Sequence, residues 1–154
     1  MNVVLILGVA VGLSAPNLKD SPKKDTAIVG EWVPESMTMG GKMNLKPPAG
    51  MRYEFTADGQ WISRREGAAA KGVPRDYKLD PKANPPTIDV APIATAPAGV
   101  AVAAAQPMLG IYKLEGDTLT ICFGVNGEER PKTFESPEGS RVMMMVLKRV
   151  KKKE

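Results

Sequence analysis

Apolar and polar positions alternate along most of this chain in runs of five to ten residues, and no run sustains helical spacing. Met51-Arg52-Tyr53-Glu54-Phe55 alternates strictly, Ala57-Asp58-Gly59-Gln60 supplies a hairpin turn, and Trp61 to Arg65 returns as the next strand. Asp76 to Leu79 and Thr87 to Val90 form a second alternating pair across a proline-rich loop. Leu109 to Leu114 and Thr118 to Phe123 flank the turn Glu115-Gly116-Asp117. Val125-Asn126-Gly127-Glu128 makes a further turn, and Arg141 to Val150 is the last strand. Upstream, Ile28 to Met39 reads as a long first strand whose Pro34, lacking an N–H, requires an edge or a bulge. The spacing predicts an all-β fold of about eight antiparallel strands in an up-and-down meander. Closure into a barrel removes the edges that an open meander of this length exposes.

The interruptions set the domain plan. Gly40-Gly41 and Lys46 to Gly50 mark a loop, and Glu66 to Pro74 is a Gly/Ala loop. Residues 92–107, rich in Ala, Pro and Val and without charge, are too long for a hairpin loop. They read as an insertion, either floppy or folded as a short apolar helix or lid over a barrel mouth. Val3 to Leu13 is almost purely apolar, too short to span a bilayer and matched to the core of a secretory signal. Residues 1–15 therefore read as a signal peptide, 16–26 as a polar linker, 27–150 as the domain and 151–154 as a basic tail. The competing reading of 3–13 is a first core strand of a cytoplasmic protein. The expected location is outside the cytoplasm, whether periplasm, cell surface or medium, with no integral membrane segment in the mature chain.

Composition narrows the chemistry. A length of 154 residues suits one domain, and 43% apolar with 5% aromatic residues and nine methionines makes the core aliphatic and Met-rich. The net charge of +4 comes largely from Lys151, Lys152 and Lys153, a solvated tail or a weak attractor of anionic lipid, wall polymer or nucleic acid. Basic residues are not interleaved with stacking aromatics, so nucleic-acid binding is not expected. Histidine is absent and Cys122 is the single cysteine. Ser-His and Cys-His nucleophile pairs, a His-based metal site and an internal disulfide are thereby excluded. Cys122 itself reads as a small buried strand residue. Glu54, Asp76 and Asp89 are the carboxylates for acid–base work if buried together, but Glu54 and Asp89 lie opposite the faces of Tyr53/Phe55 and Ile88/Val90. No enzyme activity, metal or cofactor is expected.

Several separate runs occur in a consistent order: Gly30-x-Trp32; Tyr77-x-Leu79-Asp80-Pro81 followed by Ile88-Asp89; Gly110-Ile111-Tyr112-x-Leu114-x-Gly116-Asp117-x-Leu119; Cys122-Phe123; Arg130-Pro131-x-x-Phe134; and Leu147-Lys148-Arg149. Over roughly residues 27–150 the set resembles a planctomycete-type small domain family of uncharacterised function, itself similar to lipocalin-like (calycin-like) β-barrels. The chain departs from that pattern at 92–107, where a much shorter link is usual. The resemblance implies a lipocalin-like barrel, an exported protein and a closed base made by Gly30, Trp32 and Arg149. In the last strand Met143, Met145, Leu147 and Arg149 share one face, and Val142, Met144, Val146 and Lys148 share the other. Alternation alone does not assign the inward face. The resemblance places Arg149 inside, with its guanidinium over the Trp32 ring. The second apolar face must be covered by a loop, by the N-terminal segment or by a second chain. Intrachain cover in a monomer is favoured, with a homodimer as the alternative.

Function then rests on the barrel interior. Tyr53, Phe55, Tyr112, Met143 and Met145 are the candidate ligand-binding residues: tyrosine gives an apolar pocket a polar tip, and methionine adapts its shape. The leading expectation is an exported, non-enzymatic lipocalin-like module binding a small apolar or amphipathic ligand. The alternative is a structural or protein-interaction module whose core is filled, since an eight-strand barrel is just wide enough to fill itself.

Overall fold

Each alternating run has one apolar face, and antiparallel hairpins carry that face from strand to strand without changing its side. The computed structural model of the protein describes residues 26–41, 43–67, 72, 74–92 and 106–151, the side chains of 43–45 excepted. The expected signal peptide (1–15), most of the expected linker, most of the 92–107 segment and most of the basic tail lie outside the described residues. Among the described residues nine strands follow in chain order: β1 (Gly30–Met39), β2 (Met43–Leu45), β3 (Met51–Phe55), β4 (Gln60–Arg65), β5 (Pro74–Asp80), β6 (Thr87–Val90), β7 (Met108–Glu115), β8 (Thr118–Gly124) and β9 (Val142–Arg149). Among the described residues no helix is long and apolar enough to cross a membrane.

Eight of these strands form the closed antiparallel barrel, an up-and-down meander from β3 to β9 with β1 pairing both β3 and β9. This arrangement is compatible with a lipocalin-like fold. The short β2 lies outside the ring order and pairs with Met37–Met39 of β1. The sequence reading of Gly40 to Gly50 as loop alone omits it. Three residues are too few to show alternation, and β2 exists only because Gly40 and Gly41, both at positive φ, turn the chain back onto β1. The β1–β9 seam runs from Trp32 opposite Arg149 to Met39 opposite Met143, with a register shift between Pro34 and Ser36. Pro34 cannot donate to the ladder, and the bulge that accommodates it changes the parity of the strand. Trp32 faces inward before the bulge and Met37 faces inward after it, each opposite an inward residue of β9.

The interior is filled at one end and in the middle. Trp32, Phe55, Ile88, Leu119, Ile121, Phe123 and Leu147 are all buried. Trp61 stacks between Phe55, at 5.9 Å, and Phe123, at 5.7 Å, and Tyr77 meets Phe55 edge-on at 5.3 Å. Gly110 makes this stack fit, because a Cβ there would sit 2.6 Å from the Phe123 ring.

The outer wall of β7 and β8 is also buried. Ile111 and Cys122 are paired partners on the side opposite the inward Tyr112 and Ile121, yet almost nothing of either is exposed. The segment between β8 and β9 contributes a strap against this wall. Its Glu128 and Glu129 carbonyls come so close to Gly124 that a Cβ there would lie 2.7 and 2.3 Å from them. Arg130 donates to the Gly110 carbonyl at 2.7 Å and pairs with Asp89 at 2.6 Å, while Lys113 lies 5.4 Å from the Phe134 ring centre. Chain from the same molecule thus covers part of the outer apolar face, and the Arg130-Pro131-x-x-Phe134 run belongs to that strap.

Candidate functional site

The two ends of the barrel are built differently. At one end lie the turns 56–59 and 116–117, the 81–86 connection, the entering residues 26–29 and the exit at Val150. At the other end β1 leads to β3, β4 to β5, β6 to β7 and β8 to β9 over longer stretches of sequence. Short turns let the first end close. Trp32 is completely buried there and donates its indole N–H to the Ile28 carbonyl at 2.9 Å. The Arg149 guanidinium lies 4.2 Å from the Trp32 ring centre and donates to the Val29 carbonyl at 3.0 Å and the Ala27 carbonyl at 2.6 Å. Asp117 stands 3.8 Å from its Nε. Gly30 has a positive φ of 134°, and a Cβ on it would press on Arg149 Nη1 at 3.3 Å. Two carbonyls, a ring face and a nearby carboxylate engage this arginine, so the group serves closure and not ligand exchange.

At the opposite end a cleft of about 230 Å3 opens into the barrel. Met51, Met108, Met143 and Met145 give it soft apolar walls, and Tyr53 and Trp61 reach it from inside. The rings of Tyr53 and Trp61 lie 5.5 Å apart at 51°. Burial pushes the Tyr53 hydroxyl above its ordinary pKa, so it stays protonated and able to donate. Two further polar residues, Ser63 and Arg75, complete the lining. Arg75 sits directly across the ladder from Trp61 and donates to the Met108 sulfur at 3.7 Å. Partial burial lowers the pKa of its guanidinium, which remains charged at any physiological pH.

Of the sequence-derived candidates, Tyr53, Met143 and Met145 line this cleft. Phe55 and Tyr112 are placed in the packed core, 1% and 4% exposed, and neither lines the cleft. Gly30, Trp32 and Arg149 meet at the far end. Sequence reasoning missed Met51, Trp61, Ser63, Arg75 and Met108. Trp61 and Ser63 were within reach, since alternation puts them on the Tyr53 side of the β3–β4 hairpin once its Asp-Gly turn is recognised. Arg75 was hidden because the predicted strand begins at Asp76, whereas β5 begins at Pro74.

The remaining chemistry-bearing groups lie apart from the cleft. Cys122 is buried on the outer wall, and desolvation holds its thiol up at about 11 despite the opposing influence of Lys113. Glu54 pairs with Arg64 at 2.7 Å and Asp89 with Arg130. Compared with protein-family models, with curated proteins and with solved structures, the chain matches none.

Proposed function

We propose that this protein is an exported, non-enzymatic lipocalin-like module that holds a small apolar or amphipathic ligand at the open end of its barrel. The observation that carries the reading is the cleft itself: concave, walled by flexible methionines, and equipped with a few convergent polar groups. Export rests on the apolar run at residues 3–13, and the family resemblance on the ordered set of sequence runs. Non-enzymatic action is supported by the distribution of carboxylates, of which Glu54 and Asp89 are engaged by arginines and none lines the cleft. Native mass spectrometry of the purified protein, compared with its denatured mass, tests the reading. A mass excess that disappears on denaturation is expected, and it also weighs the ligand. A mass equal to that of the bare polypeptide, unchanged after incubation with mixed lipid extract, overturns it.

A second reading has its own support. The stack of Phe55, Trp61 and Phe123 fills the middle of the barrel, as expected of an interaction module that acts through its surface. The lipid-extract result separates the two.

A further inference from the structure

The charge of the interior is one-sided. Alternation and register place Arg65, Arg75 and Arg149 on the inward side of their strands, and no carboxylate of the described strands shares that side. Arg149 is consumed by closure, as its two carbonyls, its ring face and Asp117 show. Arg65 stands exposed at the end of β4. Arg75 differs from both. It lines the cleft, and its one partner among the described residues is the weakly accepting sulfur of Met108. The neighbouring Trp61 is under-satisfied as well. The indole Nε1 of Trp61 is buried without a hydrogen-bond partner among the described residues, on a side chain that is itself only 7% exposed and directly opposite Arg75. A buried donor left unmade is costly, and a partly desolvated guanidinium seeks an anion.

We propose that the open end of the barrel selects small amphipathic carboxylates, the head on Arg75 and the short apolar chain among the methionines. The inference rests on the ligand-binding reading given above and names its ligand class. A planar guanidinium matches a planar carboxylate with two parallel hydrogen bonds. One arginine balances one negative charge, so a monoanion fits where a phosphate dianion would remain half-compensated. Neutral alcohols offer the arginine no counter-charge, and cationic amphiphiles are repelled by it. The cleft volume of about 230 Å3 lies below the roughly 300–1,000 Å3 of pockets for drug-sized ligands, which sets the chain short.

Isothermal titration of the full chain at pH 7 with decanoate, decanol and decyltrimethylammonium, each below its micellar concentration, is the test. Decanoate is expected to bind at least about tenfold tighter than either of the others, the scale of one charge-assisted hydrogen-bonded contact. Arg75→Gln is expected to weaken decanoate by about the same factor and to leave decanol unchanged. Equal affinities of the wild-type protein for decanoate and decanol overturn the carboxylate inference while ligand binding itself stands. Absence of binding by all three overturns both. The wild-type comparison decides the question even if the variant fails to fold, and unchanged decanoate affinity in a folded variant also overturns the role of Arg75.

Discussion

Arg75 and Arg149 face the inside of this barrel from opposite ends, and their surroundings could hardly differ more. Arg149 lies on an indole face, donates to two backbone carbonyls and stands near a carboxylate. Arg75 faces a methionine sulfur at 3.7 Å, and Trp61, its partner across the ladder, keeps an indole N–H that has no acceptor among the described residues. The same contrast runs through the apolar residues. Trp32 at the closed end is fully buried, whereas Met143 at the open end is half-buried on the wall of a cleft. Short turns at one end bring main chain in to satisfy polar groups and exclude water. At the other the pairing is shorter, with β4 and β5 paired over only Gln60–Ile62 and Pro74–Asp76. A polar group that is fully satisfied contributes stability, and one that is not is available to a ligand.

Substitutions can break this contrast, beginning with the largest effect. Trp32→Ala removes the buried ring, its hydrogen bond to Ile28 and the platform under Arg149, and should cost about 3–5 kcal/mol in a denaturant titration. Met143→Ala at the open end should cost about 1 kcal/mol, because much of the side chain already borders the cleft. Similar losses at the two positions would erase the distinction between a packed base and an open mouth.

The arginines sharpen the comparison at a smaller scale. Arg149→Met should destabilise by about 1–3 kcal/mol, the value of its hydrogen bonds and ring contact together. Arg75→Met should leave stability within about 1 kcal/mol of wild type, because it removes a partly desolvated cation with no carboxylate partner. A large loss at Arg75, read by the same denaturant titration, would mean that this end is structural after all.

The smallest effect belongs to the outer wall. Burial pushes the Cys122 thiol up to about 11, above its ordinary range near 9, so the folded state holds the proton more firmly than the unfolded one. Its contribution to stability is complete below pH 9 and drains away as the pH rises from there toward 11. In the native protein the thiol should resist alkylation at pH 8, and unfolding should release it. Rapid labelling of the folded protein would show that the strap does not cover the wall.

Much of the fold was legible because period-two alternation and Asp-Gly turns are local signals. The hairpins β3–β4 and β7–β8 are marked by Asp58-Gly59 and by Gly116-Asp117, and they were placed within a residue or so of their observed bounds. Pro34 required an edge or a bulge, and a register shift lies beside it. Less of the cleft was legible. Tyr53, Met143 and Met145 were recognisable as inward residues of strong strands. Arg75 was not, since it lies on a strand whose start is obscured by the Gly/Ala loop before it. Phe55 and Tyr112 obeyed the same alternation as the cleft residues but lie deeper, and depth along a barrel axis leaves no mark in a period of two.

What the sequence determined by itself was the order of strands, their two faces and the exclusion of histidine and multi-cysteine chemistry. These follow from residue type and from neighbours a few positions apart. Only the tertiary structure decided which end closes, that the segment after β8 straps the outer wall at Asp89, Gly110, Lys113 and Gly124, and that Trp61 and Arg75 stand opposite each other at the mouth. Those outcomes depend on ring closure between β1 and β9 and on cross-strand register. Both arise from the packing of the whole barrel, which no local stretch of sequence contains.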